Sequence, residues 1–384
     1  MPQPSQFPIF LLPLVALNHV LKLLTSFELI ALSLCSKASK QKCKSIRTQA
    51  QCLRNSEMFE LAYTSEQQWI RMTFKSFPST IWYFQIKRHP KEEGIMARLF
   101  SSIFGCKRFT EVVEGLHVPT FVSKRGKVKG IEVNFLQLFT SNEFISITRN
   151  FVLYLEELFN IPLNEMRVDI SELEREEVHK VTDTFCNDET KPLKTFILQA
   201  GEGQQEIDQE LMENVMKRRY AKVLLELNFN PLSGFTWDLN TIENKPPLLQ
   251  IGHSHWISVE QLIGLNFECI FLLRSNFSKT DVIVLLRTFI LGFKFKWKWV
   301  EIVFEEIIDL DLCFLELLNE NTIEGLEVLN YMNTHDFKFG RLREFDESDG
   351  ADKMIQCGIY PPDGSALTIS VKEKTLQLCN RMEL

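Results

Sequence analysis

The chain has 384 residues, 45% of them hydrophobic and 24% charged, which is typical of one or two globular domains and excludes a disordered chain. The formal net charge of −7 argues against a general nucleic-acid-binding protein, which is usually basic. The nine cysteines include no C-x-x-C pair, so neither a zinc ribbon nor a thioredoxin-type site is predicted. Free thiols favour an intracellular protein, cytoplasmic or nuclear.

Residues 9–48 carry helical patterns in quick succession. After Pro13, apolar residues fall at the spacing of one helix face: Leu14, Leu17, Val20, Leu21 and Leu24. Ser26 is a good N-cap residue for a second helix, and Ser36 for a third, basic one over residues 37–47. A module this small has too much surface to bury these side chains by itself. We therefore expect some of them to face another part of the chain or another protein.

A signal peptide, a membrane helix and a core helix pair are the alternatives for this stretch. The apolar run 7–17 has the length of a signal-peptide core, but no Lys or Arg precedes it and Pro13 interrupts it. No uncharged apolar run reaches the ~18 residues of a transmembrane helix, so no membrane span is predicted. A core helix pair of the downstream domain is the remaining alternative, and periodicity alone leaves it open.

The stretch resembles an F-box, the three-helix module by which adaptors dock onto the Skp-type subunit of cullin-based ubiquitin ligases. The matching positions follow the order of that family: Leu12-Pro13, Val20-Leu21, Leu24, Glu28-Leu29-Ile30, Leu32-Ser33 and Ser36-Lys37. The resemblance implies a set of side chains that face the Skp-type subunit: Leu12, Pro13, Leu21, Leu24, Leu29, Ile30 and Leu32. An F-box also uses some of these internally, so their division between interior and partner stays open.

Residues 54–140 have a different pattern. Short runs that mix β-branched and aromatic residues with polar ones predict strands at 57–64, 68–74, 80–87 and 127–135. Loop signals rich in Pro, Gly and Lys separate these runs. The sequence therefore predicts a strand-rich linker region after the N-terminal helices.

Residues 142–384 alternate between strand and helix patterns. A wide apolar stripe predicts a helix at 142–161. Strands are predicted at 193–199, 222–228, 248–252, 269–274 and 299–304, and helices at 207–217, 259–265 and 281–291. The strand starts recur at intervals close to the roughly 20–29 residues of leucine-rich repeats.

Three of these strands share the motif apolar-x-apolar-x-x-Asn/Ser, at 225–230, 249–254 and 270–275. A polar residue placed there pairs backbone groups where a strand turns toward a helix. We therefore expect a degenerate leucine-rich-repeat-like strand–helix solenoid. In the tail, strands at 354–359 and 366–372 around the turn signal Pro361-Pro-Asp-Gly364 predict a β-hairpin that covers its open end.

A second segment, 253–292, is similar to the F-box-associated type 2 domain of nematode F-box proteins. The matching residues run along the segment: Trp256, Leu262, Leu265, Cys269, Ile270, Leu272, Ser275, Ser278, Asp281, Leu285, Leu286, Phe289 and Gly292. With the closing strands near 350–369, the resemblance covers about 230–370 and implies a substrate receptor of a Skp–cullin–F-box ligase.

Four other clusters suggest chemistry. The heptad 293–299 alternates aromatic residues with lysines, as a single-stranded nucleic-acid surface does, but a half-buried strand or loop is the commoner arrangement. His253 and His255 lack a third metal ligand. Cys269 and Cys35 lie in apolar runs, which suits buried thiols better than a nucleophile. The acidic run 172–177 is typical of a solvated helix face.

Together these patterns predict an α/β protein with an F-box at 9–48, a strand-rich linker region at 54–140 and a repeat-like substrate-binding domain at 142–384. The predicted function is that of a substrate-recruiting adaptor, not an enzyme, in the ubiquitin conjugation pathway, with a Skp-type subunit, a cullin and an unidentified protein target as partners. No cofactor, metal, nucleic acid or membrane is expected. The alternative is a repeat scaffold for protein–protein interaction that belongs to no ligase.

Overall fold

The computed structural model describes residues 9–24, 26–33, 36–47, 56–64, 68–74, 77–88, 109–113, 116–119, 124–128, 131–140, 143–171, 173–186, 192–205, 207, 209–216, 221–304, 309–319, 338–345, 354–360, 366–372 and 374–381. The chain divides into two compact units, Met1–Leu193 and Lys194–Leu384. They are named unit 1 and unit 2. The three-part division expected from the sequence stays a prediction.

Unit 1 combines helices with a mixed sheet. Its helices are α1 (Leu14–Leu23), α2 (Ser26–Ser33), α3 (Lys37–Arg47), α4 (Phe144–Phe159) and α5 (Arg175–Phe185), preceded by a 3-10 turn at Ile9–Leu11. Its strands are β1 (Ser56–Tyr63), β2 (Gln68–Phe74), β3 (Phe77–Arg88), β4 (Phe109–Val113), β5 (Leu116–Pro119), β6 (Lys124–Val128), β7 (Ile131–Thr140) and β8 (Glu165–Asp169).

The sheet of unit 1 is built around β1, β2 and β3, which are antiparallel neighbours. Strand β8 adds to β1 in parallel, and β7 adds to β3 in parallel. The other edge of β7 receives β6 and β5, both antiparallel. Helix α4 packs on one face, where the rings of Phe84 and Phe151 meet edge to face at 5.6 Å. This contact lies in a buried core with Phe59, Ile70 and Leu155.

The strands predicted at 57–64, 68–74 and 80–87 are confirmed as β1, β2 and β3. The single strand predicted at 127–135 is wrong, because these residues span the end of β6 and the start of β7, which are antiparallel. Gly130 falls between them, and an isolated glycine in a strand-like pattern often marks such a break. The helix predicted at 142–161 is confirmed as α4.

Besides a 3-10 turn at Leu239–Thr241, unit 2 contains four further α-helices among its described residues. They are α6 (Gln209–Met216), α7 (Val259–Gly264), α8 (Lys279–Ile290) and α9 (Leu310–Leu317). Its strands are β9 (Leu193–Gln205), β10 (Ala221–Pro231), β11 (Leu248–Ile251), β12 (Cys269–Ser275), β13 (Trp299–Phe304), β14 (Lys338–Phe345), β15 (Met354–Tyr360), β16 (Ala366–Lys372) and β17 (Thr375–Arg381). These bounds confirm the predicted strand–helix alternation.

Strands β10, β11, β12 and β13 are successive parallel neighbours. One row of fully buried side chains runs across them and into β17: Leu225, Leu249, Ile270, Val300 and Leu378. Burial alternates along each strand, so a second, half-exposed face lies opposite this row. A mixed α/β fold is therefore confirmed.

Polar residues sit where these strands turn, as the motif predicts. The N–H and the Oγ of buried Ser254 both donate to the carbonyl of Leu273, at 3.0 and 2.9 Å. The Gly252 N–H donates to the Leu227 carbonyl at 2.8 Å. A Cβ at Gly252 would lie 2.3 Å from Asn228 Oδ1, so only glycine fits here without a shift of Asn228.

The tail forms an antiparallel meander of β14, β15, β16 and β17. The predicted hairpin strands are confirmed as β15 and β16, while its turn at 361–364 lies outside the described residues. The strand that pairs with β13 at the end of the parallel set is β17, which the sequence interpretation missed. Its buried Leu376 and Leu378 continue the apolar alternation of β13.

Candidate functional site

The starts of α1 and α3 each have a capping residue, whereas Ser26, expected to cap α2, is the first residue of that helix. Pro13 is the N-cap of α1, and its carbonyl accepts a hydrogen bond from Leu17 N–H at 2.9 Å. Proline suits a helix start because the N–H that it lacks would have no helical partner there. Ser36 Oγ accepts from Ser39 N–H at 3.0 Å, which confirms the predicted cap of α3.

Burial divides the seven side chains that the resemblance assigns to the partner. Three are enclosed within unit 1: Leu21, Leu29 and Ile30. Three are half-buried and one is exposed: Leu12, Leu24, Leu32 and Pro13. A buried side chain can reach a partner only if the helices open. Of the seven, only Pro13 and parts of Leu12, Leu24 and Leu32 are therefore accessible to a partner.

Five further large apolar side chains of this region are exposed, and they are here named the apolar patch: Phe10, Leu11, Leu14, Val15 and Leu23. Leu11, Val15 and Leu23 expose 80%, 83% and 78% of their surface. Val15 and Leu23 lie eight residues apart, just over two helical turns, and thus on one side of α1. Single exposed apolar residues are ordinary, but a group of them marks an interaction surface.

The family resemblance did not assign the apolar patch. The sequence signal for Val15 and Leu23 is that both are apolar yet fall off the buried stripe of Leu17 and Leu21. In a helix of a lone globular domain, such positions are usually polar.

Helices α2 and α3 are held on α4 by polar contacts. The Ser33 Oγ and the Tyr154 hydroxyl oxygen are 2.7 Å apart and join α2 to α4. Lys40 Nζ lies 4.2 Å from the centroid of the Tyr154 ring, a cation–π distance. Lys40 also donates to Glu157 at 2.6 Å, and Lys44 donates to the other oxygen of the same carboxylate. The N-terminal helices therefore have a fixed orientation within unit 1.

The two lysines lower the pKa of the Glu157 carboxyl from its ordinary 4.5 to about 2. The largest cause is the hydrogen bond from Lys40, followed by the one from Lys44. A carboxyl group with a lowered pKa stabilises the fold above its ordinary pKa and loses this effect as the pH falls through the lowered one.

We therefore expect the contact of α3 with α4 to weaken as the pH falls from about 4.5 to about 2. The effect should be small, because 46% of the Glu157 side chain is exposed and water screens the pair. The unfolding temperatures of the native chain and of Glu157→Gln, compared at pH 6 and at pH 2, measure this effect. The native chain should unfold at a higher temperature than the variant at pH 6, and this gap should shrink at pH 2. A gap of equal size at both pH values would contradict the role assigned to Glu157.

The cysteine and histidine candidates lie in surroundings that suit structural roles. Burial is the main cause that raises the pKa of the Cys269 thiol, and the charge of Glu268 raises it further. A raised pKa disfavours the thiolate that a nucleophile needs. Cys35 lies outside the described residues. His253 Nε2 is 2.9 Å from the guanidinium of Arg274. The pKa of His253 is lowered, mainly by burial and next by the charge of Arg274. Among the described residues, no three His, Cys, Asp or Glu side chains are grouped for a metal.

The aromatic and acidic clusters also serve the fold. In the heptad, Phe295 and Trp297 are completely buried and stacked at 4.4 Å, so neither ring has a free face for a base. The heptad is a loop that leads into β13, and its lysines are exposed. In the acidic run, Glu176 and Glu177 lie exposed in the first turn of α5, where the helix dipole favours negative charge. Glu172 is outside the described residues.

The residues of the second resemblance are largely explained by packing and capping. Ser278 and Asp281 form a capping box at the start of α8: Ser278 Oγ accepts from Asp281 N–H at 3.3 Å, and Asp281 Oδ2 accepts from Ser278 N–H at 2.7 Å. Most of the others are buried: Trp256, Leu262, Leu265, Ile270, Leu272, Ser275, Leu285, Leu286 and Phe289.

The comparisons with known proteins bear on the N-terminal helices alone. No curated protein and no solved structure matches the chain. No helix among the described parts of the chain combines the length and apolar character that crossing a bilayer requires. A family model for the F-box domain matches residues 9–48, the bounds predicted from the sequence. F-box domains bind Skp-type subunits of Skp–cullin–F-box ubiquitin ligases. The three N-terminal helices of this chain therefore form an F-box domain.

Proposed function

We propose that this chain is a non-catalytic substrate adaptor of a Skp–cullin–F-box ubiquitin ligase. Its F-box would bind the Skp-type subunit and, through it, the cullin, while unit 2 would bind the target protein. The observation that carries the proposal is the apolar patch on the helices that the F-box model matches. Such a patch is unfavourable in water until a partner covers it.

The apolar patch has the composition of the centre of a protein–protein interface. Its five members carry no charge and stand next to exposed Pro13 and half-buried Leu12, two residues that the resemblance assigns to the Skp-type subunit. Each apolar side chain that becomes fully buried contributes about 1.5–3 kcal/mol. In our proposal, the patch together with Leu12, Pro13, Leu24 and Leu32 contacts the partner, and Leu21, Leu29 and Ile30 support it from inside.

The contacts between the F-box and α4 suit an adaptor. The adaptor makes no bond itself but raises the effective concentration of the target near the catalytic subunit. This requires that the F-box does not swing freely on its own unit, and the contacts of Tyr154 and Glu157 with α2 and α3 supply that restraint.

We assign target binding to unit 2. The support is its parallel strand–helix arrangement, which is compatible with a leucine-rich-repeat-like solenoid, and the resemblance of residues 230–370 to the F-box-associated type 2 domain of nematode proteins. Repeat folds of this kind present broad surfaces to proteins. The same proposal makes the protein intracellular, in the cytoplasm or the nucleus, where ubiquitin ligases act.

Co-expression of the full chain with a Skp-type subunit tests the proposal. We expect a stable complex of one copy of each on size exclusion, because an apolar patch this exposed favours association. Failure to co-purify, with the chain folded by circular dichroism, would contradict the proposal and favour a repeat scaffold outside any ligase.

A further inference from the structure

The sheet of unit 2 has one face that no described helix accounts for. Along β10 to β13 and β17, every second side chain is buried, while the intervening ones are half-exposed. Right-handed crossovers place the helices between successive parallel strands on the same side of a sheet. The half-exposed side chains thus belong to the opposite face, here named the strand face.

The middle row of the strand face is acidic. Strand pairing aligns Glu226, Gln250, Phe271, Glu301 and Gln377 side by side across five strands. Gln377 Nε2 donates to Glu301 Oε2 at 3.0 Å. Because glutamine is neutral, this hydrogen bond orients the Glu301 carboxylate without cancelling its charge.

Apolar side chains stand on both sides of the acidic row. The row two residues earlier along the strands contains three neighbours, Leu248, Cys269 and Trp299. The row two residues later contains Leu273 and Val303. All are half-exposed, although residues of these types are usually buried. Tryptophan and phenylalanine are also enriched at protein interfaces, so Trp299 and Phe271 are suitable anchors.

We propose that the strand face binds a segment of the target protein in which a Lys or Arg lies between apolar side chains. The cation would meet Glu301 in a charge-assisted hydrogen bond and lie near the rings of Phe271 and Trp299, which attract cations as well. The apolar neighbours of that cation would cover the flanking rows. The inference deepens the adaptor function proposed above and rests on it for its biological meaning.

Charge favours this partner over the other kinds. The net charge of −7 attracts basic segments over a longer range. The Glu301 carboxylate repels the phosphates of a nucleic acid. It would also repel the carboxylates of an acidic peptide.

The experiment measures binding of two fluorescent pools of twelve-residue peptides to the full chain in complex with the Skp-type subunit. Both pools have apolar flanks, and their centre is fixed as Arg in one and as Glu in the other. We expect the Arg pool to bind at least about tenfold more tightly, with the difference decreasing at high salt. Glu301→Gln should weaken binding of the Arg pool about fivefold to tenfold, because the amide oxygen still accepts from Gln377 while the charge is gone.

Glu260→Gln is the matched control, because Glu260 is an exposed carboxylate on α7 and not on the strand face. This variant should bind both pools as the native chain does. The inference is overturned by equal binding of the two pools, by no binding of either, by an unchanged affinity of Glu301→Gln, or by preferred binding of a single-stranded RNA oligonucleotide.

The same variant keeps this inference distinct from the adaptor function. Glu301→Gln should retain the Skp-type subunit on co-purification. If the chain does not co-purify with the Skp-type subunit but the free chain still prefers the Arg pool, the strand face is supported and the F-box proposal is contradicted. If the complex forms but shows no preference for the Arg pool, the F-box proposal is supported and the strand face is contradicted.

Discussion

Replacing Leu14 and Val15 together by Asp is expected to abolish co-purification with the Skp-type subunit. The two side chains are 61% and 83% exposed, so the change should leave folding of the free chain almost unaffected. In the complex, two carboxylates would be buried in an apolar contact without partners, at a cost of several kcal/mol. That corresponds to a loss of affinity of at least about 100-fold, measurable by titration calorimetry.

Leu315→Asp provides the matched control, because Leu315 of α9 is 70% exposed and belongs to unit 2. The control should keep native affinity for the Skp-type subunit. A double variant at Leu14 and Val15 that still binds would show that the apolar patch is not the docking surface. The proposed mode of docking would then have to be abandoned.

Trp297→Ala is expected to destabilise unit 2 by about 3–5 kcal/mol. The indole is completely buried and stacks on Phe295 at 4.4 Å, and Phe295 in turn stacks on Phe289 at 5.9 Å. Its removal leaves a large cavity and breaks the chain of stacked rings. We expect the backbone of this loop to remain bound to β17 in the variant. Buried Asn380 of that strand donates to the carbonyls of Phe295 and Trp297, both at 3.2 Å.

Hydrogen exchange of peptides from β12 and β13 during urea unfolding measures this loss for unit 2 alone. Phe293→Ala is the control from the same loop, and it should cost much less because Phe293 is 47% exposed. Binding of the Skp-type subunit should persist in both variants below the unfolding transition. Equal destabilisation by the two variants would contradict the assignment of Trp297 to the core.

Local sequence signals were sufficient for most elements with strong patterns. The apolar stripe of α4, the Ser36 cap and the short apolar runs of β11 and β12 each follow from neighbours along the chain. Strands β4, β5, β8 and β14 were missed, as was β17. Strand β8 pairs with distant β1 and β17 with distant β13, whereas β4 pairs with β5 and β14 with β15, their neighbours in the sequence. Strand preference depends on such neighbours more than helix preference does.

The sequence by itself determined that the first helices form an F-box, because the order and spacing of Leu12, Pro13, Leu29 and Ile30 are properties of the linear chain. Only the tertiary structure decided which apolar side chains stay outside. Leu21 and Val15 lie on one helix and both are apolar, but Leu21 is enclosed by unit 1 and Val15 faces water. Burial depends on what packs against a helix, and helical spacing carries no information about that partner.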